Sequence, residues 1–180
     1  MLPPSYDARV IGRDEAIRLL EEQHAEVANL LGELDDDAFA RRGTIGGGEW
    51  SAKDLALHLG SWEELARATL TEFARGVRPG VEDTLVRAGD SDRFNDRQVR
   101  EHLDVAPEEA RARFEERHRR IIEAIAETDD AAWAAAYPFD PEDDTVSDRI
   151  GSLLGSDAGG FTHAAAHLDD LRAYAASTTR

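Results

Sequence analysis

The chain has no cysteine in its 180 residues, which excludes disulfides, thiolate metal ligands and a cysteine nucleophile. Any thiol chemistry must use a thiol brought from outside. No apolar run approaches the ~20 residues of a membrane span, so no membrane partner is expected. The opening MLPPSYDARVIGRDEA lacks the basic start and apolar stretch of a secretory signal, which places the protein in the cytoplasm. Lysine is confined to Lys53, and the other basic residues are arginine. With abundant alanine this is the signature of a high-GC genome, and the excess of acid also suits high salt; neither identifies a function. The formal net charge of −17 repels nucleic acid and anionic lipid unless a basic patch interrupts it. Only short clusters such as RHRR, Arg117 to Arg120, stand against that charge, so nucleic acid is not an expected partner.

What is present reads as one folded domain spanning residues 1–180, with 41% hydrophobic and 33% charged residues. The periodicity is helical. Ile17, Leu20, Val27, Leu31 and Leu34 recur at three- and four-residue spacings and predict a first helix. The glycine-rich RRGTIGGGEW breaks it, and Ser51 with Asp54 forms a capping box for a second helix. That helix carries a stripe of Leu55, His58, Trp62, Leu65, Thr69 and Phe73. From RGVRPG to about residue 90 the chain reads as polar and irregular, and a short helix follows around DRFNDRQVREHL. Pro107 suits the first turn of a third long helix bearing Ala110, Phe114, Ile121 and Ile125. The connection from Asp129 to Asp144 reads as an ordered surface loop. A fourth helix starts at Thr145 or Ser147, weakened by glycines at 151, 155, 159 and 160, and runs through FTHAAAHLDDLRAYAAS. Four long amphipathic helices with a short extra helix and long loops predict an all-α four-helix bundle.

The histidines carry the chemistry. On a helix, His163 and His167 lie ~40° apart around the axis and ~6 Å along it, so their imidazoles can converge on one ion. Taken alone, H-x-x-x-H is also what chance places on a half-exposed face. His58 changes the balance, because it occupies a core stripe on another helix, and burying an imidazole without a partner costs roughly 1 to 3 kcal/mol. Three nitrogen donors from facing helices leave coordination positions open for water or substrate, the pattern of a catalytic metal site. His24, between Leu20 and Val27, reads either as a supporting or pocket residue or as a satisfied core histidine. His118, among arginines, and His102, after Glu101, read as surface residues.

GEWSAKDLALHLGSWEEL followed far downstream by FTHAAAHLDDLRAY resembles the DinB/YfiT-like superfamily of four-helix bundles. The elements that carry the resemblance are Trp50-Ser51 at the start of helix two, His58, an asparagine at Asn95, and the His163/His167 pair. It implies a divalent metal, zinc or nickel, held by His58, His163 and His167. It also implies a homodimer and a small-molecule substrate. Members include S-transferases using bacillithiol or mycothiol, mycothiol-dependent maleylpyruvate isomerase, and ClbS/DfsB-like self-resistance proteins. In the isomerase branch a glutamate replaces the first histidine of the pair, and His163 departs from it, which argues against isomerisation of maleylpyruvate itself.

The activity this implies is metal-dependent transfer of a low-molecular-weight thiol of the mycothiol type to an electrophile. A metal-dependent hydrolase and a non-catalytic small-molecule-binding protein of ClbS/DfsB type are the alternatives. Glu63 and Asp169 are candidates to orient the imidazoles, and Trp62, Arg67, Asn95, Phe161 and Tyr174 are candidates to line the substrate pocket.

Overall fold

The computed structural model describes residues 11–45 and 49–178. Residues 1–10, on which most of the leader reading rests, and the glycines at 46–48 lie outside the described residues. Among those described, the secondary structure is helical, with only isolated bridges besides, and the fold is an all-α bundle. Three long rods, α1 (Arg13–Gly32), α3 (Ala52–Ala74) and α6 (Pro107–Glu127), form its frame. Shorter helices decorate it: α2 (Asp36–Ala40), α4 (Gly80–Ala88), α5 (Ser91–Glu101) and α7 (Asp130–Trp133). The fourth position is shared by α8 (Val146–Leu153), which packs on α3, and α9 (Leu168–Thr178), which packs on α1.

Local chemistry explains where the rods start and stop. At the start of α3, the Asp54 amide donates to Ser51 Oγ and the Ser51 amide donates to Asp54 Oδ2, a reciprocal cap worth ~1 kcal/mol. Thr145 and Asp148 repeat it at α8, and Pro107 opens α6, where its missing N–H costs nothing. At the other end of α1, Arg111 donates to the carbonyls of Leu31 and Leu34 and stacks its guanidinium 3.8 Å over Phe39. The single lysine acts in a comparable way, since Lys53 Nζ donates to the carbonyls of Leu103 and Val105 and ties α3 to the segment before α6. Buried Leu20, Val27, Leu31, Leu55, Phe114, Ile121 and Ile125 knit the rods together, each contributing roughly 1.5–3 kcal/mol.

Residues 80–88, expected to be irregular, form α4. A buried ion network anchors it: Arg149 on α8 binds both oxygens of Glu82 on α4, and also Asp140 and Asp143, while Tyr137 Oη donates to Glu82. The two buried side chains of α4 are Val81 and Glu82, the latter held by this network, with Leu85 and Ala88 packed against the core, so the apolar stripe is short and set among charged residues. The Asp129–Asp144 loop is ordered, with α7 at its start and an antiparallel bridge between Ala136 and Thr145.

The larger departure is the fourth helix. It is interrupted between Leu153 and Ala165, and the glycines are the reason. A Cβ at Gly155 would sit 2.7 Å from the Gly151 carbonyl oxygen and 2.9 Å from that of Gly159, so the chain folds back on itself there at a distance only glycine permits. The Phe161 amide donates to Gly151 and the His163 amide to Leu154. Phe161 adopts a left-handed φ of 59°, a conformation costing roughly 1–2 kcal/mol, offset by complete burial of its ring against Gly151.

Candidate metal centre

His58 projects from the middle of α3 into the bundle and is only 2% exposed. His163 lies in a turn at the end of the interruption, and His167 ends a single 3-10 turn, Ala165–His167, leading into α9. The pair is therefore not on one α-helix as the spacing suggested, yet the imidazoles meet. His58 Nε2 is 2.9 Å from His163 Nε2, and one ring nitrogen from each of His58, His163 and His167 lies within 4.8 Å of the others. His58 meets both partners edge-on, with ring planes 85° and 83° apart. Two indoles wall the group: Trp50 packs 4.8 Å from His58 and faces His167, and Trp62 meets His163 edge-on at 5.9 Å. His163 and His167 are half-buried, so the group is reached from their side.

Electrostatics keep these rings uncharged. Burial, reinforced by the two neighbouring imidazoles, holds His58 well below the ordinary histidine value. Burial and His167 lower His163 to about 3. Burial lowers His167 too, with Asp170 opposing it. Neutral imidazoles offer the lone pairs that a divalent ion needs. Nδ1 of His58 is buried with no hydrogen-bond partner among the described residues. The donor set of three uncharged nitrogens fits zinc or nickel.

One side chain sets the position of the His163 turn. Gln23 on α1 donates from Nε2 to the Phe161 carbonyl at 2.7 Å and accepts at Oε1 from the Ala165 amide at 3.0 Å, bracketing His163 on both sides. Nothing in the sequence marked Gln23, because these two partners are backbone groups more than a hundred residues away.

The other expected site residues are placed differently. His118 is buried rather than exposed: its Nδ1 lies 2.8 Å from Glu63 Oε1, and its ring stacks on His24 at 3.6 Å with planes 10° apart. His102 is half-buried, not on the surface, with an unpaired Nδ1. Glu63 thus bonds His118 and His24 stacks on it, and among the described residues neither hydrogen-bonds an imidazole of the first trio. Asp169 is exposed and pairs with Arg172. Arg67 is held by both oxygens of Glu64. Tyr174 belongs to the core, donating its hydroxyl to the Ala38 carbonyl, and Phe161 is buried there as well. Asn95 accepts from the Trp62 indole N–H at 3.1 Å, which fixes the ring that faces His163.

His24, Glu63 and His118 also bring one donor atom each within 4.8 Å, but ring geometry opposes a shared ion. An imidazole lone pair lies in its ring plane, and two nearly parallel planes stacked 3.6 Å apart have no common point at the ~2.0–2.1 Å bond length of zinc to nitrogen. A cavity of about 20 Å³ separates the two trios, lined by Gln23, His24, Leu59, Glu63, Phe114 and His163 among others. That is room for one water.

The bundle and its histidine group define the class: an all-α protein of the DinB-like superfamily. Residues 20–150 match the family model described as the mycothiol maleylpyruvate isomerase N-terminal domain, and the chain belongs to that family. The match contains His58 and ends before His163 and His167. No curated protein matched the sequence. Among solved structures, the fold is similar to an uncharacterised protein from Escherichia coli UTI89, with a TM-score of 0.72 and 15% identity over 94% of this chain and 95% of that one. It is also similar to the colibactin self-resistance protein ClbS in complex with double-stranded DNA, with a TM-score of 0.68 and 14% identity over 94% and 97%.

The ClbS complex overturns one expectation. Net charge excluded nucleic acid as a partner, and a protein of this fold is solved with DNA; the exclusion does not hold. The physical fault lies in using a sum, since −17 describes the whole chain and says nothing about local clusters of arginine. As for membranes, no helix among the described residues is long and apolar enough to cross one.

Proposed function

We propose that the protein is a divalent-metal-dependent enzyme that brings a low-molecular-weight thiol, of the mycothiol type, to an electrophilic small molecule. The observation that supports this reading most directly is the convergence of three uncharged imidazoles, His58, His163 and His167, on one partly open point. Membership of a family described by a mycothiol-dependent isomerase and the absence of any cysteine favour an external thiol. Those three histidines would hold the ion. Zinc or nickel bound there supplies Lewis acidity that lowers the pKa of a thiol or of water.

The chain's own part is positional. Trp50 and Trp62 exclude water from the closed side of the group and keep its dielectric low, which strengthens electrostatic interactions within it. Gln23 and the Gly151–Phe161 backbone contact hold the His163 turn in place.

The test uses untagged protein purified without a nickel column, stripped with chelator and reloaded with zinc or nickel. Consumption of a thiol with a model electrophile is expected with the metal-loaded protein, and neither with the stripped protein nor with His58→Ala. Turnover of an activated ester with metal and without thiol would replace transfer by hydrolysis. Protein that takes up no metal under either condition would end the reading.

A further inference from the structure

A second feature lies on the far side of Trp62. A groove of about 380 Å³ opens between α3, α4, α5 and α6, and its lining includes three arginines, Arg87, Arg97 and Arg117. Elsewhere many arginines are paired: Arg13, Arg18, Arg67, Arg78, Arg119, Arg149 and Arg172 each hold a carboxylate. Among the described residues, the three in the groove do not. Arg87 makes one long contact to Thr84 Oγ1, and Arg97 lies 5.7 Å from the Phe94 ring centroid. Arg117 donates only to Ser61 Oγ, through Nη1 at 3.2 Å, leaving Nε and Nη2 without partners among the described residues.

The position of Arg117 is built by the sequence. Its side chain lies across α3 at Gly60, where a Cβ would come within 3.0 Å of Arg117 Cδ. Glycine at that position lets the arginine lie flat and extend along α3 to Ser61. Burial and the nearby Arg113 disfavour its charged form, partly countered by Glu64 and Glu63. Two carboxylates also line the groove. Glu64 has both oxygens engaged by Arg67, and Glu101 is exposed beside Gln98. Three guanidiniums without carboxylate partners among the described residues therefore meet one carboxylate not held by an arginine, in a chain whose charge is otherwise strongly negative.

We propose that this groove binds a small anion carrying two or more oxyanion centres, with Arg117 as the fixed anchor and Arg87 and Arg97 closing on it. Planar guanidinium forks match carboxylate and phosphate oxygens in pairs, and the volume suits a small molecule. Phe94 on its floor meets Trp62 at 5.0 Å, and Trp62 meets His163 at 5.9 Å, so one indole separates the anion groove from the imidazole trio. The proposal does not depend on the activity proposed above.

Calorimetric titration of the metal-stripped protein with pyrophosphate and with citrate, at ionic strength fixed with sodium chloride, tests it. Saturable binding of at least one anion is expected, and which anion binds identifies phosphate or carboxylate as the source. Arg117→Gln and Arg97→Gln should each weaken it about tenfold or more, whereas Arg41→Gln, at an exposed arginine outside the groove's lining, should leave it unchanged. Melting temperatures without anion show which variants are folded, and Arg97→Gln carries the test if Arg117→Gln is not. Failure of both anions to bind at millimolar concentration overturns the proposal, as does binding unaffected by the groove variants. A short DNA duplex that binds more tightly than either small anion and with the same arginine dependence overturns the small-molecule reading.

Discussion

Two trios of side chains with similar donor chemistry sit close together on α3 and its neighbours, and they are arranged in opposite ways. His58 meets His163 and His167 edge-on, those two are tilted 57° to each other, and one ring nitrogen from each lies within 4.8 Å of the others. His24 and His118 lie flat on each other, with Glu63 bonded to the side of one ring. Both groups contain facing histidines, the second with a glutamate in place of a third; ring orientation differs. The first arrangement leaves nitrogens that only an added group can satisfy together. The second pairs His118 Nδ1 with Glu63 Oε1 and His24 Nε2 with Glu115, leaves His24 Nδ1 and Glu63 Oε2 without partners among the described residues, and ties α1, α3 and α6 together. The segments that supply the ligands also differ. Two of the edge-on rings come from an irregular stretch shaped by glycines, whereas every member of the stacked group stands on a long rod, where neighbouring rods bring rings face to face.

The sharpest way to break this contrast is to remove one ring from each trio and measure bound zinc. His58→Ala should weaken binding by more than ~100-fold, beyond the roughly 10- to 100-fold typical of losing an outer partner, while His118→Ala retains stoichiometric metal. Equal loss in both variants would make the two trios one site. The reverse contrast should appear in stability. Glu63→Leu strands His118 Nδ1 in the interior and should cost roughly 1–3 kcal/mol in urea unfolding, with metal content unchanged. A smaller effect is expected at Gln23, whose leucine variant frees the turn around His163; zinc affinity should fall about tenfold, with helical content retained. Unaltered affinity there would show that the glycine-built turn holds His163 without help from α1.

The same contrast explains what could be read from the chain. Ser51 with Asp54, Pro107 and Thr145 with Asp148 are local signals, and each opens a helix where expected. His58 stood out because an imidazole replaced an apolar residue on a helical stripe. His118 did not, because its neighbours Arg117, Arg119 and Arg120 look like surface, and Arg119 and Arg120 are exposed while His118 points inward; on a helix, adjacent residues face different directions. The break in the fourth helix was legible in its glycines but not in its consequence. The spacing of His163 and His167 suggested one helix, and the two rings instead meet through a folded-back turn that depends on Gly151, Gly155 and Gln23, contacts that no periodicity encodes. Arg67 and Tyr174 were plausible pocket residues until partners were visible: Glu64 beside the first and the Ala38 carbonyl beside the second claim their polar atoms.

Acid should also separate the two trios. With metal removed, each imidazole of the edge-on trio has its pKa lowered by burial, His163 to about 3 against an ordinary 6.5. The folded state therefore binds fewer protons than the unfolded chain below that ordinary value, and stability must fall as pH falls from about 6.5 toward 3. Each such ring contributes a slope of at most ~1.4 kcal/mol per pH unit within its window. His163→Asn removes one of them and should flatten the stability profile of the stripped protein between about pH 6 and 4 by up to that amount. His24 is lowered as well, but Glu115 and Glu63 oppose the shift, so His24→Asn should flatten it less. Chemical denaturation across that range decides the matter. A profile equally steep with and without His163 would mean that its ring is solvated in the metal-free protein, and that the edge-on cluster closes only around an ion.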